Sequence, residues 1–229
     1  MTDFQFTRAR PTPQYHALLK HYGQMHSEGY SVDDHGNARQ LSARQAFPGN
    51  ELPKFIGPIK QLIDRHQART ILDYGSGKGR QYGPAKVQTP DGKTYESIGA
   101  YWGVERITCF DPGVAEFSKL PTEKSDGVVS TDVLEHCYAG DVPWIVREMF
   151  SLANKFVFCN IACYPAMAKL PTGENAHCTQ RDPQWWEGLF TGIANDFAHV
   201  DFVLCCIAPV KNAEGTAELQ PVWIQKPKY

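Results

Sequence analysis

A short segment with alternating glycines, residues 73–79, has residue types and spacing that suit ligand binding. It reads Asp-Tyr-Gly-Ser-Gly-Lys-Gly and directly follows an apolar run of strand length. Glycine permits positive φ and lets a ligand approach the backbone without a Cβ in the way. The GxGxG spacing differs from the GxGxxG of pyrophosphate sites, and the carboxylate of Asp73 would repel a pyrophosphate. The segment therefore predicts a cofactor with an ammonium group and no phosphate; the alternative is an ordinary glycine-rich turn.

A second carboxylate, Asp111, closes the next run of strand length. An acid at this place in a Rossmann-type site accepts two hydrogen bonds from ribose hydroxyls. The alternative is an ordinary turn, because Asp111, Pro112 and Gly113 all favour turns for local reasons. We interpret Asp111 as a ribose-binding residue.

Acidic and imidazole side chains follow the third strand-like run. Asp132, Glu135 and His136 come directly after it, and His177 lies 41 positions beyond His136. Carboxylate oxygens and imidazole nitrogens can hold a divalent cation such as Mg²⁺, which would lower the pKa of an acceptor hydroxyl. Without a metal, His136 or His177 could act as a general base, since imidazole titrates near neutral pH. The alternatives are that Glu135 and His136 only orient their loop and that His177 is a surface residue.

Apolar runs bounded by turn residues predict the strands that position these side chains. They cover residues 70–73, 106–110, 127–131, 156–161, 202–207 and 222–225. Helical spacing begins at Ile56 and returns between Val142 and Leu152. Strands that alternate with helices indicate a mostly parallel sheet covered on both faces, with the final two strands as an antiparallel hairpin. In open sheets of this kind the ligand lies at the carboxyl ends of the strands, where the candidate residues are.

Two segments do not follow this alternation. Residues 83–103 are rich in Gly, Pro and Thr and predict an inserted hairpin or loop. Residues 1–54 predict a cap with one helix around Tyr15 to Met25, and 55–229 form the cofactor-binding domain. The predicted helix carries a dense set of aromatic and imidazole side chains, which are Tyr15, His16, His21, Tyr22 and His26. They predict either a lid that excludes water or a helix that merely packs on the sheet.

Composition narrows the functional classes. The chain has 229 residues and a formal net charge of −2, with no long run of either sign that would indicate a nucleic-acid partner. It has no apolar stretch near 20 residues and no signal-peptide pattern at its start, so we expect a cytoplasmic protein with no membrane partner. Its seven cysteines include no CxxC pair, which favours reduced thiols over a disulfide framework or a cysteine-based zinc site.

Taken in order, the loop at 73–79, Asp111 and the segment DGVVSTDVLEH at 126–136 resemble the class I methyltransferases that use S-adenosylmethionine (SAM). The resemblance covers about residues 55 to 208. It implies a Rossmann-like, seven-stranded α/β sheet with an antiparallel last strand, helices on both faces and an N-terminal helical cap. It also implies a SAM site made by Asp73, Gly75, Gly77, Gly79, Asp111 and Asp132. One departure is visible, since only 15 positions separate Asp111 from Asp126 and compress the intervening helix and strand into residues 114–124.

The resemblance extends to the acidic and imidazole cluster. Asp132, Glu135, His136 and His177 are similar to the metal-binding residues of ubiquinone-pathway O-methyltransferases and small-RNA 2′-O-methyltransferases, although those have glutamate where this chain has Asp132. We therefore predict a SAM-dependent enzyme that methylates an oxygen or nitrogen of a small-molecule acceptor, with Asp132, His136 and His177 as its catalytic residues. The alternatives are a nucleic-acid methyltransferase and an inactive SAM-fold scaffold. A nicotinamide-dependent enzyme is disfavoured because the GxGxxG loop is absent.

Overall fold

Five helices and ten strands make up the regular structure of the described chain. The computed structural model describes residues 5–34, 37–89, 91–212 and 214–226. In chain order the elements are α1 (Tyr15–Glu28), β1 (Gly29–Asp34), β2 (Asn37–Ser42), α2 (Ile56–His66), β3 (Thr70–Tyr74), β4 (Val87–Gln88), β5 (Thr94–Tyr95), α3 (Ile98–Trp102), β6 (Arg106–Phe110), β7 (Ser125–Thr131), α4 (Val142–Leu152), β8 (Ala153–Ala162), α5 (Pro183–Ala194), β9 (Asp201–Lys211) and β10 (Ala217–Gln225).

The central sheet has the strand order β10-β9-β8-β7-β3-β6. Neighbouring strands from β6 to β9 run parallel, and β10 pairs antiparallel with β9. The protein is therefore a Rossmann-like α/β protein with a mostly parallel sheet, as the alternation of strands and helices predicts. The predicted final hairpin is confirmed as well.

The expectation of seven strands is wrong, because the sheet of the described chain has six. The segment expected to hold a compressed helix and strand, residues 114–124, contains one turn of 3-10 helix at Ala115–Phe117 and no strand. A parallel crossover needs a dozen or more residues, usually with a helix, before the next strand can begin. The 15 positions from Asp111 to Asp126 are too few for a return helix and an extra strand, so β6 forms the edge of the sheet.

Apolar side chains alternate between the two faces of the sheet, and helices cover both. Val128 packs in the cluster that contains α4 and α5, whereas its neighbour Val129 packs in the cluster that contains α2 and α3. On β8, Val157 and Phe158 divide in the same way. Successive side chains of a strand point to opposite faces, so the continuous apolar runs in β7 and β8 give two cores.

The N-terminal region contains a hairpin that sequence periodicity did not predict. The helix around Tyr15 is confirmed as α1, but β1 and β2 follow it and pair antiparallel. In β1 the apolar alternation is limited to Tyr30 and Val32, and the residues of β2 are almost all exposed, so the hairpin carries only a short pattern of the half-buried kind. Residues 83–103, expected to form a hairpin or loop rather than a helix, contain the hairpin β4–β5, but against that expectation they also contain helix α3, with Ile98 and Trp102 buried.

Gly127 on β7 offers a test of how closely the sheet is packed. A Cβ built on Gly127 would lie 2.6 Å from Cε1 of the Phe156 ring, which covers it from β8. We expect Gly127→Ala to lower the free energy of unfolding by about 1–3 kcal/mol, because the buried ring cannot retreat without strain. Gly188→Ala is the matched control, since nothing lies within 4 Å of the added Cβ on α5. The control should raise stability by about 0.5–1 kcal/mol in the same denaturant titration. Equal effects of the two substitutions would contradict the packing described for β7 and β8.

Candidate functional site

A cavity of about 750 Å³ lies at the carboxyl ends of β3, β6 and β7. Its floor is the glycine loop, which we define as residues 73–79, together with the turns after β6 and β7. Side chains of α1, of the β1–β2 hairpin and of several residues between 164 and 177 line the cavity as well. Most of the residues predicted from the sequence line this one cavity.

The glycine loop is bonded to the end of the neighbouring strand. The amides of Gly75 and Ser76 donate to the carbonyl of Phe110 at 2.7 and 3.1 Å. Gly75 has a φ of 86°, and a Cβ there would lie 2.6 Å from a methyl group of Val133, so the turn requires glycine. Gly77 has a φ of 55°, and a Cβ there would meet nothing nearer than 3.8 Å. Gly77 therefore presents open backbone to a ligand.

Gly79 does not reach the cavity with the other two glycines. It does not line the cavity, and a Cβ at Gly79 would approach the Cys109 sulfur at 3.1 Å and the Phe117 ring at 3.3 Å. Gly79 has a φ of 63° and directly precedes the 3-10 turn Arg80–Tyr82. Gly79 therefore allows the end of the glycine loop to pack closely against Cys109 and Phe117, away from the cavity.

Asp73 is a buried carboxylate at the start of the glycine loop. One of its oxygens accepts hydrogen bonds from Gln81 Nε2 at 3.0 Å and from the Tyr82 hydroxyl at 2.9 Å. Burial raises the pKa of Asp73 to about 6, although both hydrogen bonds act in the opposite direction. In the described part of the chain no cationic side chain pairs with Asp73. A ligand ammonium group would supply the missing counter-charge.

Asp111 joins the glycine loop to the turn after β6. Its Oδ2 accepts from the Gly77 amide and its Oδ1 from the Gly113 amide, both at 2.8 Å. The second bond is the turn interaction that the alternative interpretation expected. Each carboxylate oxygen can accept a further hydrogen bond, and Asp111 lines the cavity, so its free lone pairs remain available to a diol.

Three of the four predicted metal ligands meet at the ends of β7 and β8. One ligand atom each from Asp132, His136 and His177 lies within 4.8 Å of the others, and we call these residues the strand-end cluster. Asp132 has a φ of 60°, a left-handed conformation that is uncommon outside glycine. Its amide donates to the Asn160 carbonyl at 3.2 Å, which ties this turn to β8.

Both histidines of the strand-end cluster are anchored through Nδ1. His136 Nδ1 lies 3.0 Å from the Ala176 carbonyl and 2.7 Å from the Tyr22 hydroxyl, and His177 Nδ1 lies 2.5 Å from the Tyr164 carbonyl. A carbonyl can only accept a hydrogen bond, so we assign the proton to Nδ1 in both rings. Each Nε2 then keeps its lone pair. Anchoring of the second ring nitrogen on a carbonyl is the usual arrangement of metal-binding histidines.

The electrostatics of His136 agree with a neutral ring. Burial lowers the pKa of His136 to about 4, the neighbouring His177 contributes in the same direction, and Asp132 opposes both. Near neutral pH the ring is therefore uncharged and its Nε2 can accept a proton or bind a metal ion.

Glu135 is not part of the strand-end cluster. Its side chain is fully buried, and Oε1 accepts from the amide of Ala162 at the end of β8. Its backbone carbonyl accepts from the Thr179 amide at 2.9 Å. Burial, followed by the charge of Asp132, raises the pKa of Glu135 well above its ordinary value. The carboxylate of Glu135 thus fixes the turn that carries His136.

Several cavity residues were not among the predicted site residues. Tyr22 and His26 come from one face of α1, four positions apart, and helical spacing could have placed them together. Phe47 packs on His26 with ring centroids 4.4 Å apart, and its φ of 47° gives no signal in the sequence. Gln81 also lines the cavity.

The comparisons with known proteins do not add to this geometry. Neither a family model, nor a curated protein, nor a solved structure matches the chain. Among the described helices, none combines the length and the apolar character needed to cross a membrane.

The substitution Asp73→Asn tests whether burial of this carboxylate costs stability. Because the pKa of Asp73 is raised from 3.8 to about 6 on folding, ionised Asp73 destabilises the fold above pH 6, and this effect fades as pH falls towards 3.8. The amide keeps the shape without the charge. We expect Asp73→Asn to raise the free energy of unfolding at pH 7.5 by about 1–3 kcal/mol and to lose this gain at pH 4. Denaturant titrations at both pH values measure the difference, and a gain independent of pH would rule out the charge as its origin.

The strand-end cluster predicts which residues bind a divalent ion. We expect Asp132→Asn to weaken binding of Co²⁺ by about tenfold to a hundredfold, because a first ligand is lost. Glu135→Gln should leave the affinity within about threefold, because its buried oxygen bonds an amide and the neutral side chain can still accept that bond. The absorption spectrum of bound Co²⁺ gives both affinities. Equal losses in the two variants would place Glu135 among the ligands, and a wild-type protein that binds no Co²⁺ would remove the metal assignment.

Proposed function

We propose that this protein is a SAM-dependent methyltransferase that methylates an oxygen or nitrogen of a small-molecule acceptor. One observation carries the proposal. The Asp111 carboxylate is held by the amides of Gly77 and Gly113 in a single cavity that also contains buried Asp73 and the strand-end cluster. A diol-binding acid, an ammonium-binding acid and proton-accepting groups thus lie around one space.

The lining of the cavity fits the chemistry of SAM. The cofactor has a positively charged sulfonium, an ammonium group and a ribose diol, and it has no phosphate. Asp73 supplies the anionic partner for the ammonium group, and Asp111 supplies the acceptor oxygens for the diol. Gly75 and Gly77 allow the chain of the cofactor to approach the backbone.

The strand-end cluster would act on the acceptor. In methyl transfer the acceptor atom attacks the methyl carbon, the bond from carbon to sulfur breaks, and S-adenosylhomocysteine leaves without the sulfonium charge. Without a metal ion, the proton of the acceptor passes to Nε2 of His136 or His177, whose Nδ1 atoms are held by carbonyls. With a divalent cation at Asp132, His136 and His177, both Nε2 atoms would be ligands, and the cation would lower the pKa of an acceptor hydroxyl so that its proton is lost to water. Most of the rate enhancement comes from proximity and orientation.

The N-terminal region would serve as the cap of this site. Tyr15, Tyr22 and His26 of α1 line the cavity. The β1–β2 hairpin joins the segment that carries His177 through a bridge between Val32 and Ala168. Such a cover excludes water from the transferring methyl group and leaves room for a small acceptor rather than a long polymer.

Calorimetric titration with SAM and with S-adenosylhomocysteine tests the proposal directly. We expect saturable binding of both ligands by the wild-type protein. Asp111→Ala should weaken binding by about 1.5–3 kcal/mol, because hydrogen bonds to a charged acceptor are lost. Glu123→Ala is the control, since Glu123 is an exposed carboxylate outside the cavity. Absence of binding to either ligand would overturn the proposal, and unchanged affinity in Asp111→Ala would remove Asp111 from the site.

A further inference from the structure

The sheet has no strand beyond β6 to contact the nucleoside part of the proposed cofactor. The segment after Asp111 forms a 3-10 turn and no strand, and β6 is the edge of the sheet. The ring of Phe117 in that turn lies against Gly79, behind the glycine loop. Another part of the chain must therefore contact whatever lies next to Asp111.

His26 of α1 occupies that position. A Cβ built on Gly77 would lie 3.8 Å from His26 Cε1, and one built on Gly113 would lie 3.6 Å from His26 Cδ2. These are the two glycines whose amides bind the Asp111 carboxylate. In an imidazole ring Nε2 lies between Cε1 and Cδ2, so this edge of His26 faces the two glycines beside Asp111.

The surroundings of His26 keep it rigid and uncharged. The side chain is 9% exposed, and its Nδ1 has no hydrogen-bond partner among the described residues. Phe47 packs against the ring, and Tyr30 packs against Phe47 with centroids 4.9 Å apart. Burial and, to a smaller extent, the charge of Lys78 lower the pKa of His26 to about 4. A neutral ring neither repels a sulfonium nor competes for Asp111.

Nδ1 of His26 is buried and out of reach of a ligand, so a ligand in the cavity can meet the ring only at its Nε2 edge, which faces the two glycines beside Asp111. We propose that His26 binds the nucleoside part of the cofactor through Nε2, with Phe47 holding the ring in place. The inference rests on the proposed SAM site and adds a specificity residue supplied by the N-terminal helix. It also gives the cap a binding role besides exclusion of water.

The test compares two ligands that share the nucleoside and differ in the amino-acid part. S-adenosylhomocysteine carries both parts, whereas 5′-methylthioadenosine carries the nucleoside alone. We expect His26→Ala to weaken both ligands by the same factor of about ten, the loss of one buried hydrogen bond with its packing. Asp73→Asn should weaken S-adenosylhomocysteine selectively. His16→Ala is the matched control, because His16 is exposed on the same helix and does not line the cavity.

A second variant separates binding from folding. His26→Phe keeps a buried ring but lacks both nitrogens, so it should retain the packing of α1 and show the same loss for both ligands. Wild-type affinity for 5′-methylthioadenosine in His26→Phe would overturn the inference while the SAM site stands. A wild-type protein that binds neither ligand would overturn the proposed function and this inference with it.

Discussion

Burial of carboxylates at the carboxyl end of the sheet is the constraint on which this structure depends. Asp73, Asp111, Glu135 and Glu148 all lie there, removed from bulk water to different degrees. An ionised carboxylate in such a place is unfavourable unless donors or a counter-charge compensate. Among these four acids, and counting partners within residues 5–34, 37–89, 91–212 and 214–226, only Glu148 has a full counter-charge, because both of its oxygens accept from Arg8, at 2.5 and 2.6 Å. The others have neutral donors only, so three acids remain able to respond to a ligand, a metal ion or a proton.

The ion pair of Glu148 also attaches the N-terminal region to the domain. Tyr74, inside the glycine loop, donates to Glu148 at 2.7 Å, and Arg8 donates to the Tyr74 hydroxyl at 3.0 Å. Four residues after Arg8, the Thr12 amide donates to Asp141 at the start of α4. These contacts precede α1 in the chain and fix where it begins. Because the same tyrosine belongs to the glycine loop, one hydrogen-bond network contacts both that loop and the segment before α1.

The sequence predicts those elements whose apolar pattern is continuous. The strand 106–110 and the helix 142–152 have the bounds expected from their pattern, because the turn residues Asp111 and Pro112 follow the strand and buried side chains recur at helical spacing along the helix. The β1–β2 hairpin escapes prediction, because its apolar side chains are few: Tyr30, Val32 and Leu41 line the cavity, and most of its other residues are polar and exposed. The family resemblance predicts seven strands, but the 15 positions from Asp111 to Asp126 are too few for a helix and a further strand, so the sheet has six in the described chain.

Within the site, residue spacing locates the groups but does not give their directions. Glu135 and His136 are adjacent in sequence and both suit a metal, but they lie in a 3-10 turn, where successive side chains point about 120° apart. His136 can face the cavity only if Glu135 points away, and the Ala162 amide receives it. The contact that separates them comes from the end of β8, which no local pattern can show. His177 joins the cluster from a loop 41 positions away for the same kind of reason, since the Tyr164 carbonyl orients its ring.

The short segment after Asp111 and helix α1 of the N-terminal region lie next to each other. A parallel sheet that ends at β6 leaves the space beside Asp111 uncovered, and water there would compete for its carboxylate. Helix α1 approaches this turn closely enough that a Cβ on Gly23 would lie 3.8 Å from the Gly113 carbonyl. A Cβ on Gly113 would lie 3.3 Å from an Asp111 carboxylate oxygen and 3.5 Å from Tyr22 Cβ, so a larger residue there would press on both the carboxylate and the helix. The glycines on each side thus allow α1 to approach this turn closely, and side chains of α1 line the cavity beside Asp111.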